Sequence, residues 1–290
     1  MGELLGVWAA MLSSTLGGTA IGVTRFVIGK TDPLTLGVFR FGIGFLLLWP
    51  VAVLRHERWP ARRDWPGVVG LGLLFFGLFP ALFNASLAFT TAARGAIALS
   101  TLPLLTMLAG AAIGTERLTG RKTLGVLIAM AGVVAALVSG LSSAPAGAWR
   151  GDLLMIAAAL CMAIYNVGSK PFIGRSSPIG FTVVAMGVGA VCLTAISAAR
   201  GGFAPVAQFG PAQWWAVSYL GVFGGAIGFY LWAFALGRTT PTLVALSVTL
   251  NPIAAALVGT VLLDEPIRLS LVVGMTMVLA GIAIATTRRR

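Results

Sequence analysis

Ten stretches of about 20 apolar residues, joined by short connectors, limit what this chain can fold into. They run over residues 4–28, 33–54, 66–89, 95–114, 122–141, 152–172, 179–199, 214–236, 241–263 and 267–287. A helix of about 20 residues crosses the roughly 30 Å hydrocarbon core of a bilayer. The chain of 290 residues is 58% hydrophobic and only 10% charged, with a mean hydropathy of +0.97. A soluble domain carries about 25% charged residues, and so little polar surface cannot cover a water-soluble fold. The expectation is an all-α polytopic membrane protein with ten transmembrane helices. The first stretch lacks a basic leader and is longer than the core of a cleaved signal peptide. It is read as a retained span.

The segment "PLLTMLAGAAIGTERL" (103–118) has an echo in "PIAAALVGTVLLDEPI" (252–267). Pro103/Pro252, Leu108/Leu257, Gly110/Gly259 and Glu116/Glu265 all stand 149 residues apart. The same offset joins Trp65 to Trp214, Gly72 to Gly221, Thr91 to Thr240, Gly125 to Gly274 and Gly132 to Gly281. Around the second span the register shifts to 145, where Pro33 meets Pro178. Matched Trp, Pro, Glu and Gly at one offset indicate two homologous halves. Residues 1–140 form a first five-helix repeat, 141–150 a connector, and 151–290 a second repeat. Five is odd, so the second copy enters the membrane from the opposite face and the repeats are inverted. Carriers are often built so, with the substrate site between the repeats near the midplane.

Orientation follows from the basic residues, which concentrate in cytoplasmic loops. With the N-terminus inside, thirteen Lys and Arg fall in inner segments and six in outer ones, leaving Arg40 within a span. Both termini are therefore expected in the cytoplasm. The net charge of +12 reads as a topology signal, and no nucleic-acid partner is expected. Cys161 and Cys192 lie inside apolar runs and read as small hydrophobic residues. The single histidine, His56, sits in a basic connector. No cluster of metal ligands or catalytic groups is visible, so the sequence points to no enzyme, metal or cofactor.

All eight acidic residues fall at span ends or in connectors. Carriers commonly relay protons through buried carboxylates, so coupling centred on a carboxylate is not expected. Glu116 and Glu265 read first as polar stops that anchor turns, with gating groups as the alternative; with Pro103 and Pro252 they form a structural set. Arg40 is the most internal charge, about 10 Å into its span at 1.5 Å per residue. It is a candidate for substrate or gating contact, with snorkelling to the interface as the alternative. Lys170 is a second candidate, near the inner end of its span.

Uncharged polar side chains deep in the spans must find partners. Ser14, Asn84, Thr101, Tyr165, Asn166, Tyr230 and Asn251 are of this kind. Helix-to-helix hydrogen bonds account for some; the rest are candidates to line a cavity. Phe83, within the aromatic set Phe75, Phe76, Phe79, Trp232 and Phe234, joins them as a pocket wall. Such a cavity suits a zwitterion, with carbonyls at its ammonium and amide or hydroxyl donors at its carboxylate.

Two five-helix units that each close with Pro-x12-Glu-x8-Gly-x6-Gly resemble the drug/metabolite transporter superfamily, in its EamA-type family. Those positions are Pro103, Glu116, Gly125 and Gly132, then Pro252, Glu265, Gly274 and Gly281. The segments "GDLLMIAAALCMAIYNV" (151–167) and "YLGVFGGAIGFYLWAFAL" (219–236) are also similar to that family's repeat start and eighth helix. The resemblance implies a secondary transporter of a bacterial inner membrane that exports small organic solutes by alternating access. The bacterial aromatic amino-acid exporters are the nearest likeness, implying amino acids with aromatic or other bulky apolar side chains. The alternatives are export of other metabolites or of cationic and amphipathic drugs, a membrane-embedded lipid-handling enzyme, and a small-solute channel. The expected partners are a small-molecule substrate and the lipid bilayer; the sequence assigns no oligomeric state.

Overall fold

The computed structural model describes residues 2–115, 119–139, 146–264 and 269–286. Glu116 and Glu265 lie outside the described residues. Among those described, no strand occurs. The helical rods are α1 (Gly2–Val27), α2 (Pro33–Leu54), α3 (Arg62–Phe89), α4 (Ala92–Ala112), α5 (Gly120–Ser139), α6 (Ala148–Arg175), α7 (Pro178–Ala199), α8 (Pro211–Leu236), α9 (Pro241–Leu263) and α10 (Leu269–Thr286). All but α5 and α10 are long and apolar enough to cross a membrane, which makes eight candidate spans. The remaining two, α5 and α10, pack on each other.

Helix starts are set by local chemistry that recurs at the sequence offsets. Asp32 caps α2 by accepting from the amides of Leu34 and Thr35, and Pro33 occupies the first turn. Ser177 caps α7 by accepting from Gly180, again with a proline, Pro178, in the first turn. Thr91 caps α4 and Thr240 caps α9 by the same kind of bond. A short polar side chain satisfies amides that the helix leaves unpaired, and a proline has no amide to leave unpaired there.

Helix interruptions recur as well. Helix α3 runs as a π-helix over Leu73–Leu78, and α8 does so over Leu220–Ile227. Helix α4 breaks between Leu99 and Leu102, and α9 passes through a 3-10 turn at Val248–Leu250. Each break in the second pair precedes a proline, Pro103 or Pro252. A proline offers no N–H to the carbonyl four residues back and crowds it. Those carbonyls belong to Leu99 and Val248, which are themselves 149 positions apart.

Helices α2 and α7 run antiparallel and touch at both ends. At one end Thr35 Oγ1 bonds Ser197 Oγ at 2.5 Å and donates to the Gly202 carbonyl at 2.9 Å. At the other, the Ser177 amide donates to the Arg58 carbonyl at 3.0 Å. Helices α4 and α9 also pack with opposite sense: Ala92–Leu99 meets Asn251–Leu263, and Leu102–Ala112 meets Pro241–Ser247. Helices α5 and α10 cross where Gly281 lies on Gly125. A Cβ on Gly281 would collide with the Gly125 carbonyl and stand 2.8 Å from the Ala129 amide nitrogen.

Candidate functional site

The cavity lies where α1, α2, α3, α4, α6, α8 and α9 converge. Its polar lining comes from Ser13 and Ser14 of α1, Arg40 of α2 and Asn251 of α9; Gly17, Gly224 and Gly228 expose backbone to it. Phe79, Phe83, Leu99, Met162, Phe229, Trp232 and Val248 supply the apolar walls. Ser13, Gly224 and Asn251 each stand near the middle of their helices, which puts the site at half depth. Its open volume is about 40 Å³, room for about three waters. A larger solute enters only if the surrounding helices move.

Eight of these residues form four pairs at the 149-residue offset: Ser13/Met162, Phe79/Gly228, Phe83/Trp232 and Leu99/Val248. The two halves of the sequence thus present equivalent positions to one space. Leu99 and Val248 reach it through the proline-induced breaks. Gly228 adjoins the π-helical turn of α8, and π turns inside helices often mark functional sites.

Arg40 is 5% exposed. Its Nε donates to the Gly224 carbonyl at 3.3 Å, and its guanidinium carbon stands 5.5 Å from the ring centres of Phe41 and Phe83 and 5.6 Å from that of Phe229. Helix α8 approaches this closely because a Cβ on Gly225 would collide with the Arg40 carbonyl. No carboxylate pairs with Arg40 among the described residues. The side chain does not snorkel: it is held inside the protein by aromatic faces and one carbonyl.

Of the residues singled out in the sequence, Ser14, Arg40, Phe83 and Asn251 meet at this cavity, joined by Phe79 and Trp232 of the aromatic set. Ser14 Oγ shares a 2.6 Å hydrogen bond with Ser247 Oγ. Asn251 is 4% exposed, and its Oδ1 has no hydrogen-bond partner among the described residues. The others lie elsewhere. Asn84 donates to the Pro33 carbonyl at 2.8 Å and ties α3 to the start of α2. Thr101 donates to the Ala98 carbonyl within its own turn. Tyr165 stacks on Phe75 with ring centres 4.1 Å apart. Tyr230 lies beside Phe234. Lys170 donates to the carbonyls of Leu236 and Thr239. Asn166 stands behind the wall, where its Oδ1 accepts from Trp232 Nε1 at 2.9 Å and fixes that ring. Pro103 and Pro252 mark the two helix breaks.

Ser13, Gly17, Leu99, Met162, Phe229 and Val248 were not singled out by type. Ser13 donates to the Gly228 carbonyl at 2.7 Å. The offset pairs four of them, Ser13 with Met162 and Leu99 with Val248, but neither member of either pair stands out by type. Among the described residues, no group of three His, Cys, Asp or Glu is placed to hold a metal ion.

Apolar rods around a mid-depth cavity, with an arginine inside, define a multi-pass membrane protein built to handle a small solute. The EamA-like transporter family model matches residues 4–138 and again 149–287, and the chain belongs to that family. It is 22% identical over 273 residues to the uncharacterized transporter YyaM of Bacillus subtilis, covering 93% of this chain and 89% of that protein. It is 27% identical over 285 residues to a probable terminal-alkyne amino-acid exporter of Streptantibioticus cattleyicolor, covering 97% and 93%. One solved crystal structure superposes with a TM-score of 0.70 at 26% sequence identity, covering 98% of this chain and 95% of that one.

Proposed function

We propose that the protein is a bacterial inner-membrane secondary transporter that exports amino acids with aromatic or other bulky apolar side chains by alternating access. The observation that carries this reading is the cavity lining. Four pairs of equivalent residues, one from each half, face the same space. A site shared equally by two copies of one unit is suited to opening toward either side.

The architecture behind it is ten spans in two inverted five-helix repeats, residues 1–140 and 151–290. Inversion is supported by the antiparallel packing of matched helices, α2 on α7 and α4 on α9. The double match of the family model supports the division into halves. The balance of basic residues supports termini on the cytoplasmic side. Asn84, Thr101, Tyr165, Asn166, Tyr230 and Lys170 act as supports around the cavity, whereas Ser14, Arg40, Phe83 and Asn251 meet the cargo. An amino-acid cargo is favoured by the aromatic walls beside a cationic group and by the exporter of amino acids among the relatives. Export of other metabolites or of cationic drugs is the alternative. An enzymatic role lacks support, because the cavity carries no acid, base or nucleophile pair of the sort catalysis uses.

The test is counterflow in liposomes that contain only the purified protein. Preloaded unlabelled phenylalanine, tryptophan or leucine is expected to drive saturable accumulation of the labelled amino acid. Absence of saturable flux for every amino acid, metabolite and cation offered would overturn the carrier reading, and flux without saturation would indicate a channel.

A further inference from the structure

We infer that Arg40 is the carboxylate-binding residue of the central cavity and Asn251 Oδ1 its ammonium acceptor, so that the cargo must carry a free carboxylate. This rests on the carrier reading above and narrows it to α-amino acids against the corresponding amines.

A buried guanidinium without a counter-ion is costly in a membrane protein and, where it persists, marks a substrate path or a charge partner. Among the described residues Arg40 has no such counter-ion. Its only hydrogen bond to a described residue uses Nε. The two terminal nitrogens, the pair that binds a carboxylate in a fork, have no protein acceptor among the described residues. The rings of Phe41, Phe83 and Phe229 surround the cation. They stabilise positive charge through their faces but offer no lone pair, so hydrogen-bonding capacity is left for a ligand. Gly224 accepts the Nε bond and so fixes the fork at the cavity wall.

A second, independent observation comes from Asn251 of α9, in the same lining. Asn251 is buried, faces the same cavity and has an unsatisfied oxygen. An unpaired buried acceptor costs stability, and of the buried side-chain atoms left unpartnered among the described residues, that of Asn251 belongs to a residue lining this cavity. Its amide oxygen suits an ammonium donor. With Arg40, Asn251 and the rings of Phe79, Phe83 and Trp232 lining one space, the cavity matches a zwitterionic head with an apolar side chain. A cation lacking the carboxylate would confront the Arg40 charge with nothing to offset it.

Matched pairs decide the matter: phenylalanine against phenethylamine, tryptophan against tryptamine, and leucine against isoamylamine. Binding is read as thermal stabilisation of the full-length protein in detergent, and transport as competition in counterflow. The parent protein is expected to prefer each acid over its amine by at least about tenfold. Arg40→Gln should reduce that ratio to within about twofold, and Arg40→Lys should retain part of it. Asn251→Leu should weaken the amino acids while sparing 3-phenylpropionate, which has no ammonium. Equal affinity for acid and amine in the parent, or an undiminished preference in Arg40→Gln, would overturn the inference and leave the carrier reading standing. Were Arg40→Gln not to fold, the parent's acid-to-amine ratio and Arg40→Lys decide alone. Absence of saturable flux for every solute would remove both.

Discussion

Phe83 and Trp232 stand 149 positions apart in the sequence and face one another's half across a single cavity. One ring comes from α3 and the other from α8, each five residues or fewer from the C-terminal side of a π-helical turn. Their apolar faces are the natural contact for a bulky side chain. Removing the burial of one such ring costs about 1.5–3 kcal/mol. Phe83→Ala is therefore expected to raise the half-saturating concentration for phenylalanine or tryptophan about tenfold or more, with a smaller rise for alanine. Competition in counterflow measures it. An equal effect on large and small amino acids would show that the ring supports the helices and does not meet the cargo.

Trp232 has a second bond that fixes its orientation. Asn166 accepts its indole N–H at 2.9 Å inside the protein. Asn166→Leu leaves that donor buried and unpaired, which costs about 1–3 kcal/mol. The expected outcome is a lower melting temperature, and pairing the change with Trp232→Phe should recover much of the loss because no donor remains. Thermal unfolding of the four proteins gives the coupling directly; additive losses would mean the bond contributes nothing.

Arg94 holds Asp152 by a fork, with Nε 3.0 Å from both carboxylate oxygens and Nη2 2.6 Å from Oδ2. The pair joins α4 of the first half to α6 of the second, and both side chains are nearly buried. Breaking a buried pair by removing one partner costs about 3–5 kcal/mol, whereas replacing both with apolar groups is often neutral. Arg94→Gln should lower the melting temperature by about 10 °C, and Arg94→Met with Asp152→Leu should return close to the parent. The counterpart of Arg94 in the second half is Leu243, so this clasp belongs to one face only. A double variant as unstable as the single would show that the charges, and not their separation, hold the helices.

How much of this was legible in the sequence depended on the kind of signal. Apolar runs fixed the rods because hydrocarbon leaves a backbone few other options, and eight of the ten stretches carry helices long and apolar enough to span. Pro103 and Pro252 were legible as a matched pair, but the helix breaks beside them fall inside stretches that read as continuous spans. Arg40 was visible because a charge inside an apolar run is rare. Asn84 and Asn166 carried the same mark as Asn251, a polar amide deep in a span. What separates them is place: Asn84 meets the Pro33 carbonyl and Asn166 Oδ1 meets Trp232 behind the wall, while Asn251 lines the cavity with its Oδ1 unpartnered among the described residues. Pairing across helices is a three-dimensional property that residue type does not encode. Leu99 and Met162 carried no chemical mark, and their counterparts Val248 and Ser13 were not singled out either, so the offset alone does not lead to them.

The glycine pair that closes each repeat predicts its own sensitivity. Gly281, the counterpart of Gly132, lies against Gly125, the counterpart of Gly274. Small residues let membrane helices approach closely enough for backbone contact. Gly281→Leu should separate α5 from α10 and lower the melting temperature. Gly70→Ala, at a position open on all sides, should be neutral or slightly stabilising through helix propensity. A Gly281→Leu protein with the parent's melting temperature would mean the helices do not need this contact.

The inverted arrangement makes a prediction about sides of the membrane that stability cannot test. Thr35 at the start of α2 bonds Ser197 and Gly202 at the end of α7, while Arg58 beyond α2 bonds Ser177 at the start of α7. Connector positions near 30 and 200 therefore share one face, and positions near 55 and 174 share the other. In a background with Cys161 and Cys192 replaced by alanine, single cysteines at Lys30 and Arg200 should react with a membrane-impermeant maleimide added outside cells. Cysteines at Arg55 and Gly174 should react only after permeabilisation. Arg55 lies in the connector that also holds Arg58, Arg62 and Arg63, and such a cluster is retained on the cytoplasmic side. Labelling of position 30 and position 200 from opposite sides would mean that α2 and α7 do not cross as an antiparallel pair. The two halves would then share an orientation, and the equivalent residues around the cavity would no longer be exchanged by moving from one face to the other.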